Sequence, residues 1–181
     1  MGMAVAYYTA EMVRALPDDG KRYEVVHGEL LVTPAPRAWH QEIVLRVAHL
    51  LRDYTRHAGV GHVFHSPADI SWSDDTRVQP DVFVVPLGQA RTLDWTQMQT
   101  LLLAVEVLSP STARADRFTK RRLYQEVGIP TYWIVDPEAH TIEVWAPGAT
   151  WPTLERETVT WLPEGAGEPL RIGMAELFRP I

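Results

Sequence analysis

Two acidic residues occur where the chain is otherwise apolar. Glu106 lies inside the apolar segment 101–108, and Asp81 follows Pro80 at the head of the apolar segment 81–85. Burying a carboxylate is costly unless a cation pairs with it or it binds a metal, so we expect Glu106 to have a cationic partner. Pro80 restricts the backbone before Asp81 and so fixes where that side chain points. Two carboxylates that meet at one end of a sheet would form a hard-oxygen site for Mg²⁺ or Mn²⁺.

A third feature follows Glu106. Asp116, Lys120 and Tyr124 recur every four residues and would line one face of a helix that begins after Ser111. A lysine presented there could reach the end of the preceding strand, where it would hold a scissile phosphate or activate a water molecule. Two structural alternatives stay open: Lys120 could form an ion pair with Glu106, and Asp116 could orient Lys120 instead of binding metal.

The hydrophobic pattern predicts the elements that must position these side chains. Apolar residues with helical spacing indicate a helix over residues 38–57, and the stretch after Ser111 reads as a helix to about Val127. A shorter helix is predicted over residues 10–15. The predicted strands are residues 23–26, 30–33, 63–65, 69–72, 81–85, 101–108, 131–135 and 141–145, with shorter pieces at 157–162 and 169–172. This order predicts a mixed α+β domain with one sheet, in which residues 73–76 form a hairpin turn.

Composition limits the possible classes of protein. A chain of 181 residues fits one domain, and no apolar run approaches the roughly 20 residues that cross a bilayer. No cysteine is present, which excludes disulfides, thiolate nucleophiles and cysteine-based zinc sites and favours a cytoplasmic location without a membrane partner. The net charge of −6 is not that of a protein that coats DNA. Five basic residues within positions 114–122 nevertheless predict a local face that could meet phosphates.

Several short motifs together carry a resemblance to a known family. They are residues 16–20, 23–30, 34–36 with His40, 80–82, 105–112, the trio Asp116, Lys120 and Tyr124, and residues 132–137. On these residues the chain resembles the bacterial Uma-type family of putative restriction endonucleases, part of the PD-(D/E)XK nuclease superfamily. The resemblance extends from residue 9 to about residue 178.

The resemblance implies a restriction-endonuclease-like α+β fold, with a four-stranded mixed core sheet flanked by helices. It also implies that Asp81 and Glu106 are metal ligands. The superfamily places a lysine two residues after the glutamate, but that position here is Leu108. Lys120 matches the position from which a helix lysine takes over this role.

Two further residues match the family pattern. Glu29 could complete the metal site from the N-terminal hairpin, although a surface salt bridge would explain it equally well. His40 could hold phosphate or assist the site, with a local hydrogen bond at a helix start as the alternative. Both are therefore candidate supporting residues, together with Asp116 and Tyr124.

These observations predict a metal-dependent endonuclease that acts on nucleic acid, with DNA as the expected substrate. Asp81, Glu106 and the carbonyl of Val107 would hold Mg²⁺ or Mn²⁺, and Lys120 would stabilise the transition state. We expect one domain over residues 1–181, made of a helix-hairpin at 9–36, a nuclease core at 38–146 and a strand-rich tail at 147–181, and we expect a homodimer. The alternative is an inactive nuclease-fold module that binds nucleic acid or a protein partner, favoured by Leu108 and the acidic pI.

Overall fold

The computed structural model describes residues 6–181 of the chain. The helices are α1 (Ala10–Arg14), α2 (Ala38–Ala58), α3 (Leu87–Ala90), α4 (Arg121–Glu126) and α5 (Met174–Leu177), with a 3-10 turn at Trp95–Gln97 and a π-helical segment at Ala115–Lys120. The strands are β1 (Arg22–Val26), β2 (Glu29–Thr33), β3 (His62–His65), β4 (Ile70–Ser73), β5 (Thr76–Val78), β6 (Val82–Val85), β7 (Leu103–Val107), β8 (Tyr132–Asp136), β9 (Thr141–Trp145), β10 (Thr153–Glu155), β11 (Thr158–Trp161) and β12 (Leu170–Gly173). None of the helices in residues 6–181 combines the length and apolar character needed to span a membrane.

A six-stranded mixed sheet forms the centre of the fold, in the order β10-β9-β8-β7-β6-β3. β7 and β8 are parallel, whereas the other neighbouring strands are antiparallel. The parallel pair requires a crossover, which the π-helical segment and α4 provide. Every residue of β7 is buried, as expected for a central strand that is covered on both faces. A mixed sheet flanked by helices confirms the predicted α+β fold class.

The two faces of this sheet have different coverings. Because side chains alternate along a strand, Leu103, Val105 and Val107 face a core shared with α2, β11, β12 and α5. The C-terminal segment is fastened to α2 by Arg46, which donates to the carbonyl of Leu177, and by the hydroxyl of Tyr54, which donates to the carbonyl of Glu168. The strand-rich tail therefore completes the core on the α2 side.

The opposite face carries a second sheet of four strands in the order β2-β1-β5-β4. Its residues Val26, Ile70 and Val78 pack in one core with Ala104 of β7 and with Leu123 of α4. Glu106 alternates in phase with Ala104, so its side chain points into the layer between the two sheets and α4.

The prediction of a single sheet was wrong, since a further two-stranded sheet pairs β11 with β12. The turn at residues 73–76 joins β4 to β5, and β6 belongs to the central sheet. β5 has only three residues, too few for a periodic pattern to identify it. The split places the four-stranded sheet, together with α4, over the face of the central sheet that carries Glu106.

Candidate active site

Glu106 is fully buried in β7, and two side chains from the following helix reach one of its oxygens. The Nζ of Lys120 donates to Oε1 at 3.0 Å, and the hydroxyl of Tyr124 donates to the same atom at 2.9 Å. Glu106 thus has the cationic partner that its apolar surroundings require.

The helix that carries this lysine is wound unusually. Residues 115–120 form a π-helical segment that continues as α4, and such segments are often found at functional sites. Asp116, Lys120 and Tyr124 are all buried, whereas Phe118 on the other side is 62% exposed. The four-residue spacing read from the sequence therefore brings all three side chains onto the face that meets Glu106.

Asp81 lies directly beside the strand that carries Glu106. Its Oδ2 accepts a hydrogen bond from the backbone N–H of Val107 at 2.9 Å, and the Nε2 of His40 lies 3.3 Å from the same oxygen. Its Oδ1 accepts from Arg22 Nη1 at 2.6 Å. The structure thus joins Asp81, Val107 and His40, which come from three separate stretches of sequence.

Glu24 belongs to the same cluster and was missed in the sequence. It is fully buried in β1, its Oε2 lies 2.9 Å from Lys120 Nζ, and its Oε1 accepts from the backbone N–H of Gln79 at 2.7 Å. An acid inside the apolar strand 23–26 is the same signal that identified Glu106, and it could have found Glu24. Arg22, the other member that was missed, gives no such signal, because an arginine at the start of a strand is ordinary.

Glu29 is not brought to this cluster. It is exposed at the first residue of β2, where its register partner is Val26. No hydrogen bond or ion pair of its side chain is found within residues 6–181. Of the candidate residues, it is the one that the fold places apart from the others.

The cluster contains more acids than bases. All four Asp and Glu residues that are buried in residues 6–181 meet here, and only two permanently cationic side chains neutralise them. The acids are Glu24, Asp81, Glu106 and Asp116, and the cations are Arg22 and Lys120. If every acid is ionised, four negative charges face two positive charges, and two negative charges remain.

This imbalance shifts the pKa values within the cluster. Burial raises the pKa of Glu106 well above its usual value, and the neighbouring carboxylates of Asp81 and Asp116 raise it further against the opposing charge of Lys120. Burial also raises the pKa of Asp116 to about 6. The pKa of Lys120 lies above its usual value because the surrounding carboxylates outweigh the burial of its ammonium group.

Asp81 behaves in the opposite way. Burial alone would raise the pKa of its carboxyl group, but the hydrogen bond with His40 and the charge of Arg22 lower that pKa below its usual range. Asp81 is therefore the firmly ionised acid of the cluster. The excess of negative charge instead raises the pKa of Glu106.

The donor atoms suit a hard divalent cation. Two carboxylate oxygens are buried without a hydrogen-bond donor, Glu106 Oε2 and Asp116 Oδ1, and Glu24 Oε2 has only the ammonium group of Lys120 as its partner. Carboxylate oxygens are the ligands that Mg²⁺ and Mn²⁺ prefer, and one divalent cation would offset the two remaining negative charges. Within residues 6–181 no three acidic or histidine side chains are already arranged as a metal site, and Arg22 and Lys120 are the present partners of the acids. The residues fit such a metal in atom type and charge.

Two cavities reach the cluster from outside. The larger, about 580 Å³, is lined by Arg22, His40 and Asp81 together with Lys21 and Arg37. The smaller, about 150 Å³, is lined on its polar side by Glu24, Asp116 and Lys120. The larger cavity thus offers basic side chains to a ligand beside Asp81.

Comparison with known proteins identifies the family and the fold. The chain matches the Uma2 family, described as "Putative restriction endonuclease", over residues 10–171. No curated protein matches it. A crystal structure of a protein from Anabaena variabilis, described as a putative nuclease belonging to DUF820, shares the fold with a TM-score of 0.77 at 18% identity, covering 94% of this chain and 97% of that one. The chain therefore belongs to the Uma2 family of putative restriction endonucleases.

Proposed function

We propose that this protein is a metal-dependent endonuclease that hydrolyses phosphodiester bonds in nucleic acid, with DNA as the substrate. The observation that carries the proposal is the position of Lys120. Although Leu108 occupies the usual lysine position, the Nζ of Lys120 lies 3.0 Å from Glu106 Oε1. The residue after Glu106, Val107, donates its backbone N–H to Asp81. A lysine, a glutamate and an aspartate are thus together despite the altered spacing.

In this proposal Asp81, Glu106 and the carbonyl of Val107 hold the metal, Mg²⁺ or Mn²⁺. Held by these residues, a divalent metal would supply a water molecule of lowered pKa and would neutralise charge on the phosphate. Family membership and the unpartnered carboxylate oxygens support this assignment.

The side chains around the metal site have separate tasks. Lys120 stays protonated and presents a positive charge to the phosphate, where charge increases in the transition state. Tyr124 and Lys120 both bind Glu106 Oε1, so that Oε2 is left facing away from them without a donor. Asp116, 3.6 Å from Lys120 Nζ, positions the lysine from one turn earlier in the helix.

The larger cavity supports a nucleic-acid substrate. Four basic or histidine side chains line it, and phosphate contacts from such groups contribute most of the affinity for nucleic acid. Asp18 and Asp81 also line this cavity, so three cations face two carboxylates there, a local balance that differs from the net charge of −6. A homodimer is part of the proposal, and Trp151, which is 81% exposed next to the edge strand β10, supports pairing through that edge.

The test is direct cleavage. Purified protein is incubated with plasmid DNA and with single-stranded DNA in Mg²⁺ or Mn²⁺, beside the variants Glu106→Ala and Lys120→Ala. The proposal expects cleavage by the natural chain, which a chelator stops, and loss of cleavage in both variants. Cleavage that persists in Glu106→Ala would reject the assigned site.

One observation favours a second candidate, a module that binds nucleic acid without cutting it. Both oxygens of Asp81 already have protein partners, since Arg22 holds Oδ1 and the N–H of Val107 holds Oδ2. An ion-paired cluster could be purely structural. Binding of DNA with no cleavage in either metal, on any nucleic acid tested, would select this candidate.

A further inference from the structure

The two cations of the cluster are held differently. Lys120 is 2% exposed and lies within 4 Å of three carboxylates. Arg22 is 18% exposed, donates from Nη1 to Asp81 Oδ1 at 2.6 Å and to the carbonyl of Gln79 at 3.3 Å, and lies 3.7 Å from Glu24 Oε2, too far for a hydrogen bond. Its Nε is buried without any acceptor. Arg22 is therefore incompletely bound where it is, whereas Lys120 is enclosed.

Arg22 binds the carboxylate of Asp81, which is a proposed metal ligand. Asp81 Oδ2 is tied to the backbone of Val107 and lies next to His40, and moving it would distort β7 or α2. Oδ1 has Arg22 as its partner, held by a side chain instead of the backbone. Asp81 Oδ1 is thus the oxygen that can be released to a metal, and only if Arg22 leaves it.

Arg22 cannot release Asp81 Oδ1 by losing its proton. A guanidinium remains charged at any pH that a folded protein tolerates, and the charges of Asp81 and Glu24 raise its pKa further against the effect of burial. It must therefore move as a cation, and it needs another place for its charge.

The larger cavity provides that place. Arg22 lines it, as do the basic residues Lys21 and Arg37. Three cations and the two carboxylates of Asp18 and Asp81 line this cavity, so one positive charge remains for an anion such as a phosphodiester to balance. A planar guanidinium binds two phosphate oxygens at once, which a lysine cannot do.

We propose that Arg22 is an exchangeable cation: a divalent metal displaces it from Asp81 Oδ1, and it turns into the cavity to bind a phosphate of the nucleic-acid backbone. This inference rests on the proposed metal-dependent function. Metal loading and substrate binding are then linked, because the arginine that the metal releases is the one that the phosphate uses.

The first measurement is calorimetric titration of Mn²⁺ into the natural chain and into Arg22→Met, Arg14→Met and Asp81→Asn. Arg14 pairs with Asp69 outside the cluster, so Arg14→Met removes the same charge elsewhere. We expect Arg22→Met to bind Mn²⁺ about tenfold more tightly, because a competing charge a few ångströms from the metal is gone. Arg14→Met should match the natural chain, and Asp81→Asn should lose binding.

The second measurement follows the Arg22 side chain itself and uses the natural chain, so that it does not depend on a variant folding. The Nε–Hε resonance of Arg22 is followed by NMR as Mg²⁺ and then a thymidine dinucleotide are added. The inference expects two successive shifts for Arg22, and no shift for Arg14.

The outcomes are distinguishable. If the natural chain binds metal but Arg22→Met binds no more tightly, or if the Arg22 resonance ignores saturating Mg²⁺, Arg22 is a fixed structural partner and the inference is overturned, while the proposed function stands. If the natural chain binds no metal at all, both the proposed function and the inference are rejected.

Discussion

Two ion-pair networks in this molecule use the same residue types and differ in their balance. At the edge of the four-stranded sheet, Asp69 is held by Arg14 and Arg77, and both of its oxygens have donors. Inside the protein, four carboxylates share Arg22 and Lys120, and two buried oxygens, Glu106 Oε2 and Asp116 Oδ1, have no donor. The outer network has enough cations, and the inner one has too few.

The difference is also visible in the protonation of the acids. Partial burial would raise the pKa of Asp69, but hydrogen bonds and positive charge from Arg14 and Arg77 lower that pKa below its usual value. Glu106 has a pKa raised well above its usual value, by burial and by its neighbouring carboxylates. A network built only for stability would resemble the one at Asp69, so the unsatisfied inner cluster points to a ligand, as perturbed groups in a cleft often do.

The largest expected difference between the two networks is in catalysis. Glu106→Gln keeps the size of the side chain but removes the charge that would hold the metal, and we expect DNA cleavage to fall by about 10³-fold or more. Asp69→Asn, the matched change in the outer network, should cleave at nearly the natural rate. Initial rates on plasmid DNA in Mg²⁺ measure both, and equal losses would show that the inner cluster is not special.

The second difference concerns stability. Lys120→Met leaves three buried carboxylates without their shared cation, and we expect the free energy of unfolding to fall by about 3–5 kcal/mol. Arg14 is half exposed in its pair with Asp69, so Arg14→Met should lower that free energy by about 1 kcal/mol or less. Urea denaturation at pH 7 compares the two variants, and a loss as small for Lys120→Met as for Arg14→Met would contradict this account.

The third difference is in the response to metal. Mg²⁺ at 100 times its dissociation constant should raise the free energy of unfolding of the natural chain by about 2.7 kcal/mol, because it binds only the folded state. Asp69→Asn should keep this increase and Asp81→Asn should lose it. Thermal unfolding with and without Mg²⁺ is the measurement, and stabilisation that survives in Asp81→Asn would place the metal elsewhere.

The smallest expected difference is in pH dependence. The folded pKa of Asp116 is about 6, above the 3.8 of a free aspartate, so between these values the folded chain binds more protons than the unfolded chain. The free energy of unfolding contributed by this group is therefore greatest below pH 4 and is lost as the pH rises through 6. Asp116→Asn should flatten this part of the profile when denaturation is measured from pH 4.5 to 7.5, and an unchanged slope would show that Asp116 does not titrate there.

Most of the fold could be predicted from the sequence, because long elements carry a clear pattern. The helical spacing of apolar residues identifies α2, and the continuous apolar run identifies β7. The predicted ranges 38–57 and 101–108 lie close to the observed Ala38–Ala58 and Leu103–Val107. β5 and the division into separate sheets could not be predicted, since which strands pair is decided by contacts distant in sequence.

The candidate site could likewise be predicted from the sequence only in part. An acid within an apolar strand signals a buried charge, and this signal identified Glu106 and applies equally to Glu24. Arg22 and the unequal number of cations could not be foreseen, because they depend on the antiparallel pairing of β1 with β5, which brings the N-terminal strand over Asp81. Glu29, only five residues from Glu24, lies outside the cluster because the register of β1 with β2 sets it opposite Val26, whereas Leu31 lies opposite Glu24.

The most direct test of the central claim is anomalous diffraction from crystals of the natural chain grown in MnCl₂. The account predicts one strong anomalous peak in contact with the carboxylates of Asp81 and Glu106, with none at Asp69. No peak at the inner cluster in Mn²⁺-saturated crystals, or a peak at Asp69 alone, would contradict the claim that the unbalanced cluster is a metal site.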